Sequence, residues 1–207
     1  MADQLSIQKS ISEATDELES SQNGDLPLQF RRMIMSKLGP GLGGGSPPSR
    51  TVGYVRRVRL AIVAVEKSAP IWKAALPDDR AVDDALLLAH DVMTGAVSAK
   101  VADSNRAALW TYCDDLSFDR KNHQIPALVG YAAAQVIAVA LWDPWGGDPE
   151  DDTRTDRDLD PDEFECSFLA ASAWSGGTPW MPASSPERRE EYWRWWLCAV
   201  VEVLTRS

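Results

Sequence analysis

The stretch DDTRTDRDLDPDEFE, residues 151–165, carries eight carboxylates in fifteen positions. Side chains of this type and density can hold a divalent cation, run acid–base chemistry, or present charge to a basic partner. Metal binding makes the strictest demands. Asp156, Asp158 and Asp160 stand where the first three ligands of an EF-hand loop would stand. The sixth position, which needs glycine for a sharp turn, is Pro161, and the twelfth, which should be a bidentate glutamate, is Ser167. Starting the loop at Asp148 or Asp158 instead places Leu159 or Leu169 twelfth. The pattern therefore fails as a calcium loop, and no metal is expected. Acid–base catalysis by paired carboxylates needs one of them in an apolar pocket that raises its pKa. So polar a stretch promises no such pocket.

Two local roles remain. Asp160-Pro161-Asp162-Glu163 has an N-cap residue, a proline at the first helical position and acids in the first turn, so a helix is expected to open there. Ser185-Pro186-Glu187 repeats the device. Capping leaves Asp148, Glu150, Asp151, Asp152, Asp156 and Asp158 unexplained. A solvated loop is the bland expectation for them, and like charges packed this closely strengthen the case for an interaction role. These six are the candidate partner-binding residues, with Trp145 in LWDPWGG and Trp180 in AWSGGTPW beside them. Tryptophan is over-represented among binding hot spots; for Trp180 the competing expectation is a ring folded back onto the protein.

Other chemistry finds less support. There are two histidines, His90 and His123, and neither HExxH nor GxSxG occurs. GLGGGS lacks the Gly-Lys-Ser/Thr of a phosphate loop and follows no strand pattern. Cys113, Cys166 and Cys198 are odd in number and widely spaced, which suits reduced thiols. No catalytic residue and no cofactor is assigned. Glu66 interrupts an apolar helix, and with His90 and Asp91 it marks the alternative: an all-α enzyme or small-ligand-binding protein with an inter-helical site. The bland expectation for Glu66 is a carboxylate paired with a nearby arginine.

The elements that must position these residues read as helices, with no strand alternation. Residues 3–20 place Ile7, Ile11, Ala14 and Leu18 at spacings of three and four. Pro27 opens a second helix that Gly39 ends. A third begins near Val52, and Pro70 is expected to break or kink it. Further helices are expected from Arg80 to Thr94, stopped by Gly95, and from Ser98 to about Asp115. An Ala-rich helix, about 126–142, reads as the central buried one. The last helix, from Pro186, has Glu187, Glu191, Arg194, Cys198 and Glu202 on one narrow stripe, and everything else from Tyr192 to Leu204 is apolar. The expected fold is a compact all-α bundle of about seven or eight helices. A single domain spans 1–207, with a mobile Gly/Pro/Ser loop at 39–49 and an acidic loop at 143–160.

Charge is segregated along the chain. Leu26 to Leu76 holds nine Lys/Arg against the single Glu66, whereas Asp148 to Glu165 holds ten acids against Arg154 and Arg157. The net charge of −10 and this acidic block argue against nucleic acid, whose phosphates need positive surface. They suit a basic protein partner. The N-terminus has no apolar signal core, and the Ala-rich run is short for a membrane span, so a cytoplasmic protein with no membrane contact is expected. A structural protein that forms a homodimer through its aromatic helices is a third alternative.

Several stretches together resemble a family of predicted immunity proteins of bacterial polymorphic toxin systems, immunity protein family five. They are RLAIVAVEKSAPIWKAALPDDR (59–80), VGYAAAQ (129–135), DLDPDEFECSFLAASAWSGG (158–177) followed by TPW, and ERREEYWRWWL (187–197). The Gly-rich stretch at 39–49 lies outside that pattern. The resemblance implies a mostly α-helical, non-enzymatic cytosolic protein that binds and neutralises a cognate toxin. It brings no catalytic residues to carry over.

Overall fold

The computed structural model describes residues 2–43, 49–119, 121–144 and 154–205. Among them are eight α-helices and no strand: α1 (Ala2–Ser20), α2 (Leu28–Lys37), α3 (Val52–Ala75), α4 (Ala81–Thr94), α5 (Ala99–Asp119), α6 (Gln124–Trp142), α7 (Cys166–Ser175) and α8 (Pro186–Thr205). Three single 3₁₀ turns, Lys121–His123, Asp156–Asp158 and Pro161–Glu163, lie between them. The all-α bundle expected from the periodicity is the fold observed.

Local chemistry sets most boundaries. Thr51 accepts a hydrogen bond from the Tyr54 N–H at 3.1 Å and so caps α3. Gly95 adopts φ 85°, and its N–H closes the end of α4 on carbonyls of the last turn. α6 is the hub. It packs against α3, α4, α5 and α7, and its alanines from Ala132 to Ala134 are wholly buried. Small side chains let those neighbours approach closely. By length and composition α6 could cross a membrane, but 67% of it is buried inside the bundle, as a core helix is. Gly130 sits where a methyl group would land on Cys113 Sγ and Trp72 Cζ3.

The predicted stripe of α8 is borne out. Glu187, Glu191, Arg194, Cys198 and Glu202 face solvent, while Tyr192, Trp193, Trp196, Leu197 and Val200 are buried. One hydrophobic core draws side chains from all eight helices.

Two expectations are corrected. Of the break or kink expected at Pro70, the break does not occur: α3 continues to Ala75. The missing donor costs one helical hydrogen bond on an exposed side, while Ala69 and Trp72, both buried, keep the last turn docked. Asp160-Pro161 opens only a single 3₁₀ turn, and α7 begins later, at Cys166. Phe164 and Glu165 are extended, with ψ of 134° and 147°, which breaks the helical run. Within the stretch expected to be mobile, residues 44–48 lie outside the described residues. Leu42 is tied down, its N–H donating to Asp143 at 2.9 Å.

Candidate functional site

Three arginines lie on the inward faces of helices, each with no exposed surface: Arg31 on α2, Arg57 on α3 and Arg189 on α8. A buried guanidinium requires counter-charge and a full set of acceptors. Arg57 Nε and Nη2 donate to the two carboxylate oxygens of Asp143, at 2.6 and 2.8 Å. Its remaining N–H groups reach the carbonyls of Met35, Gly39 and Pro40 at 2.9 to 3.1 Å. Asp143 closes α6 with a left-handed φ of 46°.

Arg31 organises the second cluster. Its Nε donates to Glu165 at 2.6 Å, and its Nη1 to the Leu26 carbonyl at 2.6 Å and to Asp156 at 3.1 Å. Its Nη2 makes a further, short bond to Asp156. The guanidinium carbon lies 5.3 Å from the ring centroids of both Phe168 and Trp193. Asp25 extends the network, accepting from Trp193 Nε1 at 2.7 Å and facing Arg189 at 3.6 Å. Arg189 also donates to Ser175, Ser184 and the Gly177 carbonyl. Three carboxylates thus share two guanidinium groups. Burial pushes the Asp25 and Glu165 carboxyls above their usual range, opposed chiefly by Arg31. Arg31 is held charged more firmly than a free arginine: desolvation works against it, but Glu165 and Asp156 outweigh that cost.

These contacts fix the acidic stretch at its two ends. Asp143 is clamped to α3 and Asp156 to α2. Of the sequence-predicted site residues, Trp145, Asp148, Glu150, Asp151 and Asp152 lie outside the described residues. Asp156 is buried in its ion pair. Asp158 is exposed, and its carboxylate accepts from the Thr155 N–H and hydroxyl, both at 2.8 Å. Glu163 likewise accepts from the Asp160 N–H at 3.0 Å, which lowers its pKa. Trp180 is 38% exposed. Its inner face packs on Phe168 at 5.8 Å and Phe164 at 6.2 Å, with Arg157 5.7 Å from its ring. The ring leans on the bundle and still reaches solvent.

Trp180, Arg154 and Arg157 line a groove of about 460 Å³ with Glu17, Asn23 and Gln29; Asp25 and Asp156 also line it. A second groove, of about 480 Å³, runs between α3 and α4 and brings Glu66 and His90 together. Glu66 is exposed there and, among the described residues, forms no ion pair with an arginine. Asp91 neighbours His90, 3.8 Å from its Nδ1. Among the described residues, no three His, Cys, Asp or Glu side chains are grouped to hold a metal ion. Burial raises the thiols of Cys113 and Cys166 to about 12, so neither is a thiolate nucleophile at neutral pH.

The buried arginines were missed in the sequence, where Arg31 and Arg57 entered only a charge count and Arg189 not at all. Their signal was phase. Arg57 falls on the face of Tyr54, Ala61 and Ala64, and Arg189 on that of Tyr192, Trp193 and Trp196.

No curated protein matches the chain. The family model described as "Immunity protein Imm5" matches residues 11–203, nearly the whole length. The all-α fold and the match together place the chain: it belongs to the Imm5 family of immunity proteins.

Proposed function

We propose that this protein binds and neutralises a cognate bacterial toxin by direct protein–protein contact, covering the toxin's active site or a patch beside it. The observation that carries the proposal is the family match over residues 11–203. The contact surface we assign is the acidic stretch and its aromatic neighbours: Asp148, Glu150, Asp151, Asp152 and Asp158, with Trp145 and Trp180. Asp156 serves this surface as its anchor on Arg31.

Three features support the assignment. Asp143 and Asp156, which flank most of the assigned acids in sequence, are each held by a buried arginine. Ten acids against two arginines between Asp148 and Glu165 complement a basic toxin and steer its approach. Trp180 offers a supported aromatic face beside the charge. The toxin is the only partner proposed, acting in the cytoplasm of a polymorphic toxin system and without a cofactor.

The test begins with co-expression. Each neighbouring gene is expressed with and without this protein, and rescue from one toxic neighbour with co-purification is expected. Failure to rescue any toxic neighbour would overturn the proposal. Replacing Asp148, Asp151, Asp152 and Asp158 by lysine should then slow association about 10- to 100-fold at low salt and flatten its salt dependence. An unchanged affinity and salt slope would remove the acidic surface from the mechanism.

A further inference from the structure

The groove between α3 and α4 shares no lining residue with the Trp180 groove. Ile62, Ala69, Leu86 and Leu87 give it apolar walls, and Leu87 is left 59% exposed. Glu66 stands at its side, exposed, and its carboxylate has no hydrogen-bond or ion-pair partner among the described residues. Asp83 differs, since Lys73 already holds its carboxylate at 2.9 Å. Pro70 also lines the groove. Having no N–H, it leaves the carbonyl of Glu66 without its usual helical donor. One residue therefore supplies both a free carboxylate and a backbone acceptor, next to an apolar trough, while Lys73, which lines the same groove, is paired with Asp83.

A ligand matching this arrangement needs several donors fanned from one cationic head and an aliphatic stem behind it. The guanidinium group has that form: five N–H donors in a fixed plane at the end of three methylenes. A lysine ammonium is a point charge and forks less well onto a carboxylate. We infer that the α3–α4 groove receives an arginine side chain of the toxin, an inference that rests on the immunity function proposed above. Two guanidinium N–H groups pair with the Glu66 carboxylate, a third faces the Glu66 carbonyl, and the stem lies along Leu86 and Leu87 with His90 at the rim. The toxin would then be held at two places, by steering at the acidic stretch and by one desolvated arginine here. Arginine filling a pocket is a frequent form of binding hot spot.

The experiment uses the full chain and the toxin identified by rescue and co-purification. Binding is measured for wild type, Glu66→Gln, Glu66→Lys and Leu87→Asp, with thermal unfolding run on each; Glu66 and Leu87 are exposed, so native melting is expected. Glu66→Gln should weaken binding about 10-fold and Glu66→Lys about 100-fold or more. A scan replacing each surface arginine and lysine of the toxin by glutamate should yield one arginine variant that loses wild-type binding and regains it with Glu66→Lys. Wild-type affinity in Glu66→Lys and Leu87→Asp overturns the groove assignment while leaving the immunity function standing. Absence of toxin binding by the wild type overturns both. A lysine as the rescuing position overturns the assignment to arginine.

Discussion

Replacing Asp156 by asparagine separates an anchor from a docking residue. The substitution keeps the shape of the side chain and removes its charge. Arg31, wholly buried, then retains Glu165 as its direct counter-charge and the Leu26 carbonyl as an acceptor. Breaking a buried ion pair costs about 3–5 kcal/mol, because the surviving charge is left desolvated and under-compensated. Glu165 still compensates Arg31 here, so the lower end, about 3 kcal/mol, is expected. For a chain of this size each kcal/mol moves the melting temperature about 2–4 °C, which gives a fall of about 6–12 °C. Asp158→Asn is the internal control. It removes an exposed cap acceptor and should cost about 1 kcal/mol or less. Thermal unfolding measures both, and hydrogen exchange should show lost protection over residues 154–163 in Asp156→Asn alone. If Asp156→Asn melts within about 2 °C of wild type, the Arg31 pair contributes nothing to the fold and Asp156 returns to the docking surface.

Two further outcomes follow from the core. Gly130→Ala drives a methyl into Cys113 and Trp72 at the crossing of α6 with α3 and α5; overpacking of this kind should destabilise by about 1–3 kcal/mol, and a neutral or stabilising result in urea unfolding would refute the close approach. Asp25 and Glu165 have carboxyl pKa values raised by burial, so the folded state keeps protons that the unfolded chain has released. Their contribution is present at pH near the usual carboxylate value of about 4 and is lost as pH rises through the raised values. The difference in melting temperature between wild type and Glu165→Gln should therefore grow as pH falls toward that value. Identical pH profiles for the variant and wild type would contradict a raised Glu165 carboxyl pKa.

The sequence determined what short-range physics controls. Apolar residues at spacings of three and four, with Gly39, Gly95 and Pro186 as punctuation, were enough to mark all-α structure and most helix positions. They were also enough to place the exposed stripe of α8 and the buried Ala-rich hub, since helical phase alone decides which side a residue takes. The same local rules erred at Pro70 and at Asp160-Pro161, where packing outweighed a missing donor in one case and a cap signal in the other. The sequence also marked Trp180 and the acidic stretch as one region, but it could not divide the acids by role. Asp156 and Asp158 are two residues apart and look alike in sequence. One is buried against Arg31, 125 positions away, and the other is exposed. Likewise, Glu66 and Pro70 became the wall of a groove only when α4 packed beside α3. Only tertiary structure decides such matters, because a buried ion pair or a groove depends on residues distant in the chain that the folded core brings together, and no local pattern carries that distance.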